Sequence, residues 1–102
     1  DGSPNFITQN RCSAETVQLP SDGSLEGKIV LIRGADPGYD WIFSHKIAGF
    51  ITAYGGANSH MAIRAAEFDL PAVIGVGEKR FSRYAAAKRL EVDCRNRTVA
   101  AL

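Results

Sequence analysis

Aliphatic blocks alternate with helix-like stretches and turns along most of this chain. Residues 28–33 (KIVLIR) form a β-branched and aliphatic run that predicts a buried strand, ended by the turn residues 34–38 (GADPG). Residues 39–48 (YDWIFSHKIA) predict a short helix, with Asp40 capping its first turn and Trp41, His45 and Ala48 on the face turned to a sheet. Gly49 closes that helix, and residues 50–54 (FITAY) predict the next strand. A second unit of the same kind follows: a tight turn at 55–58 (GGAN), a helix at 59–68 (SHMAIRAAEF) and a third buried strand at 72–76 (AVIGV) behind Pro71. Ala62, Ala65, Ala66 and Asp69 make a stripe of small residues that lets this helix approach a sheet closely.

The flanks are less periodic. Residues 1–13 read as a loose lead-in, 15–19 (ETVQL) as a short strand and 20–27 (PSDGSLEG) as turn material. Residues 80–88 predict a last helix rich in alanine and arginine, and 89–94 with 98–102 predict a terminal hairpin around Arg95-Asn96-Arg97. Helices recurring between short aliphatic strands predict an α/β domain whose parallel pairs arise from right-handed crossovers; the late hairpin makes the sheet mixed. With 102 residues the chain has room for one such domain.

Composition narrows the partners. A content of 45% hydrophobic and 23% charged residues fits a globular domain with one core. No apolar run reaches the roughly 20 residues that cross a bilayer, and residues 1–11 lack the basic start and apolar centre of a signal peptide. A cytoplasmic protein without membrane contact is therefore expected. The net charge of +1 conceals a crowd of basic residues late in the chain: Lys79, Arg80, Arg83, Lys88, Arg89, Arg95 and Arg97 against Glu78, Glu91 and Asp93. That patch has no interleaved aromatics and no reading motif, so a solvated or domain-facing surface is expected and nucleic-acid binding is not. Cys12 and Cys94 have no CxxC spacing and no histidine near them, which predicts free thiols and no metal site. Neither G-x-G-x-x-G nor G-x-x-x-x-G-K-S/T occurs, so nothing announces a dinucleotide or ATP site.

The chemistry concentrates in residues 51–77, where a buried strand runs into Gly55 and Gly56, then Asn58, Ser59 and His60 at the first turn of a helix. Paired glycines keep the approach to the histidine uncrowded. Ser59 or Asn58 caps the helix, and His60 then stands beside backbone amides that have no helical acceptor. A neutral imidazole there is a nucleophile toward phosphorus, and the amides, the Ser59 hydroxyl and the Asn58 side chain are donors for the dianion it would gain. The helix dipole adds roughly 0.3–1 kcal/mol in the same direction. A plain cap or surface histidine has the same pattern, so the spacing alone leaves both readings open. His45, one turn after Trp41, is read as structural or solvated. No acid or base is placed beside His60 by the sequence, which argues against a stand-alone hydrolase.

Thr52, Gly55, Gly56, Ser59, His60, Ala62, Ile63 and Ala65, followed by Leu70-Pro71-Ala72-Val73-Ile74-Gly75, fit the signature T-x-x-G-G-x-x-S/C-H-x-A-I-x-A-R with its trailing aliphatic-Pro-Ala-V/I-V/I-G run. Residues 35–43 (ADPGYDWIF) are similar to the T-D-P-G-W-x-x-x-F segment that precedes the helix in one branch. On these motifs, over about residues 25–99, the chain resembles the mobile phosphohistidine domain of phosphoenolpyruvate-utilising enzymes such as phosphoenolpyruvate synthase, pyruvate phosphate dikinase and enzyme I of the sugar phosphotransferase system. Two positions depart: Tyr54 stands where dikinase-like members carry arginine, and Ala66 where the motif ends in arginine.

The resemblance implies a swivelling β/β/α-type fold, one piece of a larger multidomain protein. It implies that His60 accepts a phosphoryl group from ATP on a nucleotide-binding domain, or from phosphoenolpyruvate on a Mg-dependent barrel domain, and passes it on. By similarity Thr52 would orient the imidazole, Asn58 and Ser59 would hold phosphoryl oxygens, and Gly55 and Gly56 would leave room for partner-domain groups. The domain itself would bind no cofactor; Mg and ATP or phosphoenolpyruvate belong to its partners. The alternative is a silent module of the same fold with a structural or regulatory role.

Overall fold

The computed structural model describes residues 3–102. Its elements in chain order are β1 (Asn5–Ile7), β2 (Arg11–Gln18), β3 (Ile29–Ile32), a 3₁₀ helix (Pro37–His45), β4 (Gly49–Thr52), α1 (His60–Glu67), β5 (Ala72–Ile74), α2 (Glu78–Ala86), β6 (Arg89–Asp93) and β7 (Thr98–Ala101). The strands form one mixed sheet in the order β1-β5-β4-β3-β2-β6-β7. β2, β3, β4 and β5 run parallel to one another, while β1, β6 and β7 are antiparallel additions at the two edges. The 3₁₀ helix crosses from β3 to β4, and α1 from β4 to β5. The mixed α/β sheet and both predicted crossovers are therefore present.

Alternation along the central strands explains how a four-residue strand can be wholly buried. Val30 and Ile32 of β3 enter one core with Phe50, Ala72 and Ile74, covered by Ile42 of the 3₁₀ helix and Met61, Ala62 and Ala65 of α1. Ile29 and Leu31 point to the other face and join Ile51, Val73, Phe81 of α2, and Leu90 and Val92 of β6. Each large side chain so buried is worth about 1.5–3 kcal/mol. Both faces being covered is why these strands read as unbroken aliphatic runs.

Several expectations change. Residues 5–7 and 11–18 are strands, where a loose lead-in and a short strand at 15–19 were expected. β2 carries only one buried residue, Ala14, because its place in the sheet comes from pairing with β3 and β6 and not from an apolar run. The segment over 37–45 is a 3₁₀ helix capped by Asp36, whose side chain accepts from the Gly38 amide at 2.9 Å. With Pro37 fixing the first turn, the cap falls four residues earlier than Asp40 and the buried position becomes Ile42. Trp41 is half-exposed and meets the edge of the His45 ring on the solvent side, with centroids 5.4 Å apart. In α1 the buried face is Met61, Ala62 and Ala65; Ala66 faces outward and Asp69 lies past the helix end. The last helix begins at Glu78, two residues before the expected start.

Cys12 and Cys94 are free thiols, as expected. Burial, reinforced by the neighbouring Cys94, pushes the Cys12 thiol from 9.0 up to about 11, and burial raises Cys94 as well. At neutral pH the Cys12 thiolate is then about a hundredfold scarcer than that of an ordinary thiol, and alkylation by iodoacetamide should slow by about that factor. A rate close to that of free cysteine, followed by mass spectrometry, would contradict this packing.

Candidate functional site

The parallel strands β3, β4 and β5 end side by side, and their following loops are stitched together. The amides of Ala53 and Tyr54 donate to the carbonyls of Ile32 and Arg33, and those of Gly75 and Val76 donate to the carbonyl of Thr52. Gly77 donates to Ala53. This lattice fixes the stretch 54–59 that delivers His60 as the first residue of α1. Ser59 is the cap, its hydroxyl accepting from the Ala62 amide at 3.4 Å. Of the two candidate caps, Ser59 holds the position and Asn58 stays exposed.

The His60 side chain keeps 35% of its surface in solvent. Its Nε2 lies 2.7 Å from Oδ1 of Asp40, so a protonated Nε2 donates to the carboxylate. The same oxygen accepts from Arg64 Nε at 2.9 Å, and Arg64 also donates to Glu67 Oε1 at 2.7 Å. Together the His60 and Arg64 hydrogen bonds hold the Asp40 carboxyl below the usual carboxylate range. An acidic group therefore does stand beside the histidine, contrary to the expectation that none would. Asp40 reaches it from the neighbouring 3₁₀ helix, 20 positions away in sequence. Arg64 was legible in principle: four residues after His60 on a helix, it shares the histidine's face.

The helix start offers fewer free donors than expected. The Met61 amide donates to the carbonyl of Ala35 at 3.1 Å, and the Ala62 amide is the one taken by Ser59. Among the described residues, the amides of Asn58 and His60 have no acceptor. Thr52 is fully buried, and its hydroxyl donates to the Tyr54 carbonyl at 2.8 Å and accepts from the Gly75 amide at 3.0 Å. That hydroxyl serves the loop lattice, and the ring's hydrogen-bonding partner is Asp40. The two glycines differ. A Cβ on Gly55, at φ +123°, would fall 2.6 Å from Ala35 Cβ, whereas one on Gly56 would meet nothing within 4 Å.

Tyr54, the position where dikinase-like members carry arginine, is half-exposed, and its hydroxyl donates to Glu78. Arg33, from the end of β3, donates to both carboxylate oxygens of Glu78 at 2.9 and 2.7 Å. The Tyr54 hydroxyl and then Arg33 hold the Glu78 carboxyl low, and Glu78 in turn pushes the Tyr54 phenol up. A guanidinium thus stands at this end of the sheet although residue 54 does not supply it.

Residues 24–97 match the family model described as PEP-utilising enzyme, mobile domain. The chain belongs to this mobile-domain family. It is 40% identical over 55 residues to a phosphoenolpyruvate-protein phosphotransferase of Haloferax volcanii, covering 53% of this chain and 10% of that protein. A rifampicin phosphotransferase of Bacillus cereus is 43% identical over 64 residues, 62% of this chain and 7% of that one. A phosphoenolpyruvate synthase of Aeropyrum pernix is 32% identical over 77 residues, 74% and 9%. The mobile domain thus spans a tenth or less of the length of these curated relatives. The same fold occurs in the solution NMR structure of a UPF0107 protein, with a TM-score of 0.72 over 99% of this chain and 98% of that one, at 16% identity. Among the described residues no helix is long and apolar enough to cross a membrane, and no group of three metal-ligating side chains comes together.

Proposed function

We propose that this mobile domain is the phosphoryl carrier of a phosphotransferase linked to phosphoenolpyruvate or pyruvate, with His60 as the residue that carries the group. The observation that supports this best is the His60 ring itself: part-exposed, at the carboxyl end of the parallel strands, and held by a carboxylate that fixes its orientation. A nitrogen of the neutral imidazole attacks the phosphorus of ATP or phosphoenolpyruvate; the N–P bond forms, the P–O bond to the donor breaks, and the leaving oxygen keeps the electron pair. The donors would be bound with Mg on a nucleotide-binding domain and on a phosphoenolpyruvate- or pyruvate-binding barrel, in the same or a partner chain. The small share of each relative that this domain spans is consistent with such neighbours. The free amides of Asn58 and His60 and the open side of Gly56 leave room for the phosphoryl group and for a partner's residues. Thr52 would act on the ring indirectly, through the loop that it fastens.

The test is labelling in trans. Supplied with a donor domain of this family and labelled phosphoenolpyruvate or ATP, the protein should acquire acid-labile, base-stable label, and His60→Ala should acquire none. Label that persists in His60→Ala would remove the assignment. A domain that binds its partner but is never labelled would be the silent module.

A further inference from the structure

Asp40 Oδ1 is shared between two donors, His60 Nε2 at 2.7 Å and Arg64 Nε at 2.9 Å. An oxyanion therefore already stands against Nε2 and is held there by a guanidinium. An oxygen of a phosphoryl group bonded to Nε2 would lie two bonds from that nitrogen, in the same space, and would call on the same cation. A carboxylate and a phosphoryl dianion repel at contact distance, so the two cannot occupy it together.

We propose that the Asp40 carboxylate is a placeholder for the phosphoryl group: on transfer to His60 Nε2 it leaves the ring, and Arg64 exchanges it for the phosphoryl oxygens. This rests on the carrier reading and adds to it the cation that receives the group and the anion that makes way. When Asp40 withdraws, the Nε2 proton passes through solvent to Nδ1, which the part-exposed ring permits. The Nε2 lone pair then attacks phosphorus, the N–P bond forms, and the donor's oxygen departs with the P–O electron pair. Arg64 is equipped to stay in place during the exchange. Glu67 holds its NH1, and the guanidinium carbon lies 4.9 Å from the Phe68 ring centroid and 5.7 Å from that of Phe43. Asp40 is free to move, since its side chain is 39% exposed and the cap of its own helix is Asp36. A guanidinium presents Nε and two further nitrogens, so beside its bond to Glu67 it can take two phosphoryl oxygens where it now holds one oxygen of Asp40.

Potassium phosphoramidate, a small donor that needs no partner domain, tests this on the full chain labelled for NMR. Phosphate should appear on His60 Nε2, the Arg64 Nε–H and Asp40 carboxyl signals should both shift, and Asp40→Asn should be modified about threefold faster or more, because the competing charge is gone. Arg64→Ala should hold about tenfold less phosphohistidine at steady state. Phosphate on Nδ1 with the Asp40 signal unmoved would overturn the proposal. So would an Asp40→Asn protein modified no faster than the native one, or a His60 that neither protein allows to be modified. If phosphoramidate produces the exchange while no donor domain labels His60, the carrier reading fails and the placeholder stands; labelling without the exchange removes the placeholder alone.

Discussion

Gly55→Ala should destabilise the domain by about 3 kcal/mol, while Gly56→Ala should change its stability by less than about 1 kcal/mol. Gly55 has a φ of +123°, where an L side chain is strained, and its Cβ would fall 2.6 Å from Ala35 Cβ and 3.2 Å from Ile74 Cγ2. Ala35 and Ile74 belong to the core under the site, and neither can retreat without opening it. Gly56 has no positive φ, and nothing lies within 4 Å of its would-be Cβ. The effect should separate in function as well. If the open side of Gly56 is where a donor domain approaches, Gly56→Ala lowers the rate of His60 labelling in a protein whose urea midpoint is unchanged. A Gly55→Ala protein with the native midpoint would contradict the close packing of this loop on Ala35 and Ile74.

The contrast between the glycines shows how much of the site was legible in the chain. The sequence pattern identified the β3, β4 and β5 runs, the helix at 59–68 and the glycine pair, because each has a local cause: aliphatic burial on both faces, a capping serine, a turn. It could not assign different duties to Gly55 and Gly56, since the difference lies in where Ala35, in the loop after β3, and Ile74, on β5, come to stand. The Asp40–His60 contact was out of reach for the same reason. It depends on the 3₁₀ helix starting at Pro37 and not at Tyr39, a shift that turns Ile42 inward and frees Asp40 from capping. β1 was missed and only the second half of β2 was expected, because neither carries an aliphatic block. β1 is a three-residue edge strand on β5, and β2 holds its place by pairing on both sides.

Thr52→Val should cost about 1–3 kcal/mol, although the side chains are nearly the same size. The Thr52 hydroxyl is fully buried and bridges the Tyr54 carbonyl to the Gly75 amide, tying the loop after β4 to the loop after β5. Valine leaves the Tyr54 carbonyl without its side-chain donor and the Gly75 amide with only the Thr52 carbonyl at 3.1 Å. Thr52→Ser retains both bonds and should lose only the methyl group's packing, about 1 kcal/mol or less. Amide exchange at Gly75 should accelerate in the valine variant and not in the serine one. His60 labelling should fall with that loop opening, because the residues between Tyr54 and Ser59 set where the ring is delivered. The competing idea, in which the Thr52 hydroxyl itself orients the imidazole, makes a different forecast. Thr52→Val would then shift the His60 ring-nitrogen NMR signals while leaving Gly75 exchange and the urea midpoint as they were, and that result would replace the loop argument with a direct contact.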